Sequence, residues 1–576
     1  MIISVSLLDT ITEDLPRLCS YLDTRNRELE TLNRGLEKKN AELAAMVRFY
    51  EEQARLFTHR QFAASSERTP PGQEAFFDLL FNEPEVFADQ AVPEPSTEPA
   101  DESATRPRSK RPKGHRQNQL RLLETREIEY PLPEDKQICN CCDGKLHFVG
   151  WQETEKVEVE PAKAIRILHK EGKYACRNCQ NEGEPAPIKA AGTMPKLAFP
   201  KSIASPSLVA HILHEKFVMS SPLYRQEQYI ERLGLFISRQ TMANWVMEAA
   251  AMVAPVTNRM HELLILRDII HADETGVQVL KEPGRSATTG STMWLYRSGR
   301  DGPPIALYDY QTSRAGAYAK QFLQGFGGYD TATKQIVKTK YLQTDGHVGY
   351  DAVPRWILDR DRNEKVPDVI SVGCWSHARR KFDEANAVVK KEDRKDGRKT
   401  GAEEGIEYCN TLFRIERELK DATSEQRLAA RQERSKPVVD CFKKWLDRQA
   451  IKVLPKSTLG KAIAYCLNQW PKLIVFLQDG RLEIDNNRAE RSIKPFVIGR
   501  KNWLFANTPN GAKASATLYS IIETAKENGL KPFEYLTYLF ERLPAIDSKA
   551  PEAIESILPW AESIPETCRQ KTAATS

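Results

Sequence analysis

The chain of 576 residues is several times longer than one hydrophobic core supports, so a single domain is excluded and roughly four are expected. Apolar residues make up 40% and charged residues 28%, which excludes wholesale disorder, and no run approaches the roughly 18 to 20 apolar residues of a membrane span. A net charge of +5 is nearly balanced, so electrostatics must be read locally.

The start, MIISVSLLDTITEDL, lacks the basic n-region of a secretory signal, so a cytoplasmic protein is expected. Eleven cysteines, four of them in two close pairs, favour metal thiolates over disulfides in such a compartment.

Leu22, Leu29, Leu36 and Leu43 recur every seven residues, continued by Tyr50 and Phe57, with Asn26, Asn33 and Asn40 at the other seam position. Leucine at d with asparagine at a is a zipper pattern that favours a two-stranded pairing, so residues 1–64 are read as a coiled-coil helix that makes the protein a homo-oligomer, a dimer. An amphipathic helix folded onto its own chain is the other reading. Residues 65–118 turn to Pro, Glu, Ser and Thr, acidic first (Glu83 to Glu102), then basic (Arg106 to Arg116), as in a flexible tether whose basic end can lie along phosphates.

Within 119–195, Cys139 and Cys142, then Cys176 and Cys179, form two Cys-x-x-Cys pairs with 33 residues between them. Each pair sets two sulfurs on one tight turn, half of a tetrahedral site, so the four cysteines are expected to hold one structural Zn²⁺ with no position left open for catalysis. Cys141 is a competing ligand, set aside because adjacent cysteines do not easily share one turn. HFVGWQETEKVEVE and AIRILHKEGKYA alternate as strands, giving a zinc ribbon.

Residues 196–262 read as three helices, SLVAHILHEKFVMS, LYRQEQYIERLG and SRQTMANWVMEAAAMVAP, with Gly234 breaking the second and Ser238 capping the third. Arg239, Gln240 and Asn244 are side-chain types that read base edges, so a helix-turn-helix is expected here, against a purely packing trio.

From residue 263 strands take over. ILRDIIHADET is an apolar run ending in Asp273. STMWLYRS and PIALYDYQ follow as strands and AGAYAKQFLQGF as a helix. KTKYLQTDG is a fourth strand ending in Asp345, HVGYDAVPRWIL a helix, and VISVGCW a fifth strand entering the helix SHARRKFDEA. That is the order of an RNase H-like sheet, in which strands one and four are neighbours and bring Asp273 beside Asp345. Two such carboxylates repel unless cations lie between them, and a pair of Mg²⁺ ions removes the conflict while serving phosphoryl chemistry. A third carboxylate is then expected in RLEIDNNRAERSIKP, where Asp485 or Asn486 caps a short helix that stops before Pro495. Asn487, Glu490, Arg491 and Lys494 share one face of that helix, suited to Mg²⁺ and DNA phosphate; a salt-bridge ladder of Glu490 with Lys494 is the alternative. His377, Arg379, Arg380 and Lys381, where strand five enters its helix, form a phosphate-holding patch. Trp375 beside them reads as core.

The expected fold is thus a multidomain α/β plus α chain. An RNase H-like mixed-sheet catalytic core spans 263–390 and 483–545 and is split by a helical insertion, 391–482. A zinc ribbon, a helical DNA-binding region and an N-terminal coiled coil precede it, and a tail, 546–576, follows. The insertion is expected either to cover the mouth of the site and position DNA through Arg427, Arg431, Arg434 and Lys436, or to act as a folding brace.

HADETGVQVL, YLQTDGHVGY, GCWSHARRKF, DGRLEIDNNRAERSIKPFVIGRKNW and the closing LPW resemble the transposases of bacterial insertion sequence 66 and its relatives, a DDE-type family, over nearly the whole chain. The resemblance implies a bacterial, nucleoid-associated, Mg²⁺-dependent DNA transposase. Asp273, Asp345 and Glu490 would be its metal-binding catalytic triad, Zn²⁺ its structural ion, and double-stranded DNA, both element ends and target, its partner. Small companion proteins of the same element are open partners. Asn140, Cys141, Gly276 and Ser376 depart mildly from the family pattern. A structure-selective nuclease on the same sheet, and a zinc-containing DNA-binding regulator, are the competing readings.

Overall fold

A computed structural model of the chain describes residues 202–330, 335–336, 338–359, 364–389, 399–547 and 550–570, with residue 20, residues 23–40, parts of 42–55, and residues 164–169, 173–175, 188–190 and 196–200. The chain forms two compact units, one of residues 94–326 and 489–576, the other of residues 1–93 and 327–488. Among the described residues no helix is long and apolar enough to cross a membrane.

In the first unit three strands form an antiparallel meander: β1, Ile269–Gln278; β2, Gly290–Ser298; β3, Ala306–Gln311. The sequence is rich in β-branched and aromatic residues here, and its central strand is buried almost throughout. β1 does not end at Asp273. It runs on to Gln278 because β2 extends the ladder, with Asp273 opposite Leu295 and Thr275 opposite Met293. β3 is an edge, and it is closed by the Pro509–Glu527 helix. Thr524 Oγ1 accepts from the Ala306 N–H at 3.0 Å and Ser520 Oγ from the Tyr308 N–H at 2.8 Å, so two hydroxyls one turn apart replace a neighbouring strand.

The expected helical trio is present as Pro206–Phe217, Leu223–Arg232 and Arg239–Ile265. Gly234 takes a left-handed φ of 86° after the second helix, and the Ser238 side chain accepts from the Thr241 N–H to cap the third. The third helix runs ten residues past Pro255. The buried stripe Val253, Val256, Met260, Leu264 repays the hydrogen bond the proline removes, so Leu264 and Ile265 are helix rather than strand.

The cysteines expected to bind zinc, Cys139, Cys142, Cys176 and Cys179, lie outside the described residues, as do the segments expected as the 65–118 tether and the first ribbon strand. Among the described residues of the second, Lys173–Ala175 is a strand, paired antiparallel with Ile188–Ala190, and 164–169 have no regular structure.

In the second unit β4, Lys340–Gln343, and β5, Val369–Val372, pair in parallel, Lys340 opposite Val369 and Gln343 opposite Val372. The segment between them is not a helix: Val348–Ala352 is one 3₁₀ turn and Trp356–Asp359 a strand paired with Glu364–Pro367. Pro354 accounts for the difference: Val353 is still helical, but the proline has no N–H with which to continue the turn. The helical insertion packs on the Trp375–Ala387 helix through Trp375, Phe382, Phe442 and Trp445, all within aromatic contact. Gly405 makes that approach possible, because a β-carbon there would collide with the Phe382 ring. Residues 23–40 are helical, with Leu29, Leu32 and Leu36 exposed.

Candidate active site

Asp273 and Thr275 are successive residues on one face of β1, both half-buried. Asp273 Oδ1 accepts from the Glu274 N–H at 2.9 Å. Glu274, on the opposite face, is buried and ion-paired with Arg314.

The helix that carries Glu490 spans Asn487–Trp503 and does not stop before Pro495. The proline lies in its interior, at a cost of about 3 kcal/mol for an exposed helix. Tertiary anchoring offsets that cost. Ala489, Ser492, Ile493, Phe496 and Gly499 form its buried face. The Arg297 guanidinium donates to Ser492 Oγ, and the Tyr308 hydroxyl to the Ser492 carbonyl. At the far end Arg500 Nη1 donates to Thr275 Oγ1 at 3.4 Å. Arg297 pairs with His271 and Tyr308 with Leu295 across the strands, so these contacts place the Glu490 helix over the sheet face on which Asp273 stands. Burial without an adjacent carboxylate lowers the Arg500 pKa.

Asp345 follows β4 by two residues. Its Oδ1 accepts the His347 N–H at 2.8 Å, and Gly346 turns the chain with φ 92°. The half-buried Tyr465 donates its hydroxyl to the Asp345 carbonyl at 3.2 Å; desolvation raises its pKa and keeps it a donor. In the same unit the lead-in to the Glu490 helix is stitched down. Gln343, fully buried, donates to the carbonyls of Glu483 at 2.7 Å and Asp485 at 2.8 Å. The Trp375 N–H donates to the Ile484 carbonyl at 3.1 Å, Ser376 Oγ donates to Asp485 Oδ2 at 3.2 Å, and the Asn486 N–H to Cys374 Sγ at 3.2 Å. Asp485 then receives the Asn487 N–H at 3.1 Å, as the expected cap.

Asp273 and Glu490 belong to one unit and Asp345 to the other. Gln343 and Tyr465 hold these elements and were not picked out from the sequence; the only signal for Gln343 was its adjacency to the TDG stretch, and Tyr465 had none. Asn487, Arg491 and Lys494 follow Asp485 at helical spacing, Arg491 exposed.

The basic patch divides. Arg379 is held by Asn410 at 2.7 Å and Asp383 at 3.1 Å, and Lys381 lies 3.8 Å from Glu384. Arg380 is exposed, and His377 is half-buried one turn from Trp375, which is core with its Nε1 donating to the Leu473 carbonyl. On the third helix of the trio Arg239, Gln240 and Asn244 are all exposed; Arg239 pairs with Glu227 at 2.9 Å, and Gln240 donates to Asn244 at 3.0 Å.

In the insertion two of the four cations do not face solvent. Arg431, fully buried, forks onto Glu416 at 2.7 Å and donates to the carbonyls of Phe476, Asp479 and Leu482. Arg427 is buried and donates to the carbonyls of Gly480, Leu419, Lys420 and Ala422. Both brace the insertion instead of meeting DNA. Arg434 and Lys436 are exposed.

Comparison with known proteins gives these features a common origin. The profile described as "Transposase IS66 family" matches residues 201–514, more than half of the chain, and that of the IS66 C-terminal element matches 520–560. The zinc-finger binding domain of transposase IS66 matches 136–180, which holds all four paired cysteines, and "Transposase C of IS166 homeodomain" matches 50–128. Relatives include two proteins of Sinorhizobium fredii (strain NBRC 101917 / NGR234). Uncharacterized protein y4jD is 32% identical over 74% of this chain and 79% of its own length; Uncharacterized protein y4hP is 30% identical over 75% of each. With its motifs, its mixed α/β architecture and this span of similarity, the chain belongs to the IS66 family of transposases.

Proposed function

We propose that this transposase cuts the ends of its element and joins them to target DNA with Asp273, Asp345 and Glu490 as the acidic triad. One observation carries the reading: within one unit, the helix bearing Glu490 is anchored along its body over the sheet face on which Asp273 stands. Three carboxylates are hard oxygen donors and fit Mg²⁺, with no soft ligand needed in the set. When bound, a pair of such ions supplies activation of the attacking oxygen and neutralisation of charge on the leaving one. The protein's own task is positioning: Ser492 anchors the helix that carries the third carboxylate, and Arg491 and Lys494 offer cations to the phosphate.

Arg239, Gln240 and Asn244 supply exposed donors for base edges, and Arg380 with His377, Arg379 and Lys381 the phosphate contacts of the Trp375–Ala387 helix. Cys139, Cys142, Cys176 and Cys179 hold Zn²⁺ as a structural ion of the finger.

Cleavage and strand transfer with labelled element ends test the assignment. Asp273→Asn, Asp345→Asn and Glu490→Gln should each lower both reactions by about three orders of magnitude or more, with DNA affinity and melting midpoint close to those of the parent. Wild-type cutting without joining of a pre-cleaved end would favour a nuclease. Undiminished cleavage by Glu490→Gln would remove the triad.

A further inference from the structure

The Asn487–Trp503 helix ends in a way its sequence does not favour. Leu504, the residue that terminates it, has φ 65°, a left-handed conformation that glycine or asparagine adopts at helix ends and that crowds the β-carbon of leucine. The turn is nonetheless pinned on both sides. The Leu504 N–H donates to the Arg500 carbonyl, the Phe505 N–H to the Trp503 carbonyl, and Ala506 and Gln278 are bonded across to the extension of β1, followed by the Leu280 N–H to the Ala506 carbonyl at 3.0 Å. The result is two large apolar side chains pushed outward: Leu504 is 64% exposed and Phe505 42%. A purely structural helix end would carry glycine and hide its aromatic neighbour.

The tip is flanked by cations. Lys501 is exposed. Arg500 is half-buried against Thr275, and no carboxylate pairs with it among the described residues. Gly276, next to Thr275, leaves that guanidinium uncovered; a β-carbon there would stand 3.8 Å from Nη1. Thr275 and Gly276 lie two and three residues along β1 from Asp273, and the tip joins the strand at its last residue, Gln278.

We propose that Leu504 and Phe505, with Arg500 and Lys501, form a subsite for one unpaired nucleotide of a DNA end, Phe505 stacking on the base and Arg500 meeting its phosphate. An exposed apolar pair alone fits many partners; an aromatic ring beside an uncommitted guanidinium fits a nucleotide, which presents a π-face and an anion together. The inference rests on DNA being the substrate of the proposed triad but not on the triad itself.

Binding of full-length protein in EDTA, where cleavage is silent, separates the two. The probes are a blunt duplex and the same duplex with its last three base pairs unpaired. Wild type should prefer the frayed probe by roughly tenfold, the scale of stacking one base. Phe505→Ala should lose that preference and Phe505→Trp keep it. Arg500→Gln should weaken both probes and lower the slope of log affinity on log salt by about one. Leu504→Gly is the control for structure: it relieves the backbone, so its melting midpoint should hold or rise while the preference falls. Equal preference in wild type and Phe505→Ala overturns the subsite. So does a change in oligomeric state with unchanged DNA binding, which would assign the tip to a protein contact. Undiminished cleavage by Asp273→Asn with the preference intact would overturn the triad alone, and loss of cleavage in Asp273→Asn with no wild-type preference for the frayed probe would overturn the subsite alone.

Discussion

Asp309 illustrates how one side chain sets a pH dependence. It stands on β3 opposite Trp294, largely removed from water, and burial pushes its carboxyl up to about 6 against the Gln311 amide, which donates to it at 2.9 Å and acts in the other direction. The folded chain thus holds a proton that the unfolded chain releases near its ordinary carboxylate pKa of about 4. Its stabilising contribution is complete below that value and is lost as pH rises through about 6. At pH 7 the ionised group costs about 3 kcal/mol, so Asp309→Asn, which is neutral and of the same shape, should raise the melting midpoint by a few degrees at pH 7 and leave it unchanged at pH 4. Thermal unfolding of both proteins at the two pH values checks this, and identical midpoints at pH 7 would refute it. Nothing in the sequence around YDYQ marks this aspartate, because its shift comes from what covers it.

At the scale of elements, the same point separates two arginines of the insertion that spacing treats alike. Arg431 satisfies Glu416 and three carbonyls in a dry setting, so Arg431→Ala strands a buried carboxylate and should cost about 3–5 kcal/mol. Arg434 pairs with Glu418 at the surface, and Arg434→Ala should cost about 0.5 kcal/mol or less. Chemical denaturation of the pair of variants measures the difference; DNA binding lost by Arg431→Ala with unchanged stability would return that residue to the nucleic-acid interface. Helix existence, caps and breaks at Ser238, Gly234 and Asp485 were legible, since each depends on residues within one turn. Helix length was not. Pro255 and Pro495 both lie inside helices whose buried faces outweigh a local penalty, whereas Pro354, with no such face, ends one.

For the whole molecule, expectations concern assembly and metal. The family's zinc-finger match over 136–180 leads to one Zn²⁺ per chain, released by a thiol-blocking reagent and absent from Cys176→Ser, with metal content measured against protein. Removal of residues 1–64 should convert a dimer to a monomer by light scattering, because the exposed leucines of the 23–40 helix then have no partner to supply; an unchanged mass would show that the stripe does not drive assembly.

The order of elements, the apolar strands, the paired cysteines and the acidic residues were in the primary structure, because side-chain period, turn chemistry and ligand spacing are properties of neighbours along the chain. Tertiary structure alone decided that Asp273 stands mid-strand, that Arg427 and Arg431 are braces, and that the Glu490 helix continues past its proline to present Leu504 and Phe505. Each of those outcomes is set by groups distant in sequence whose packing and hydrogen bonds exceed the local preference, and no window of residues contains that balance.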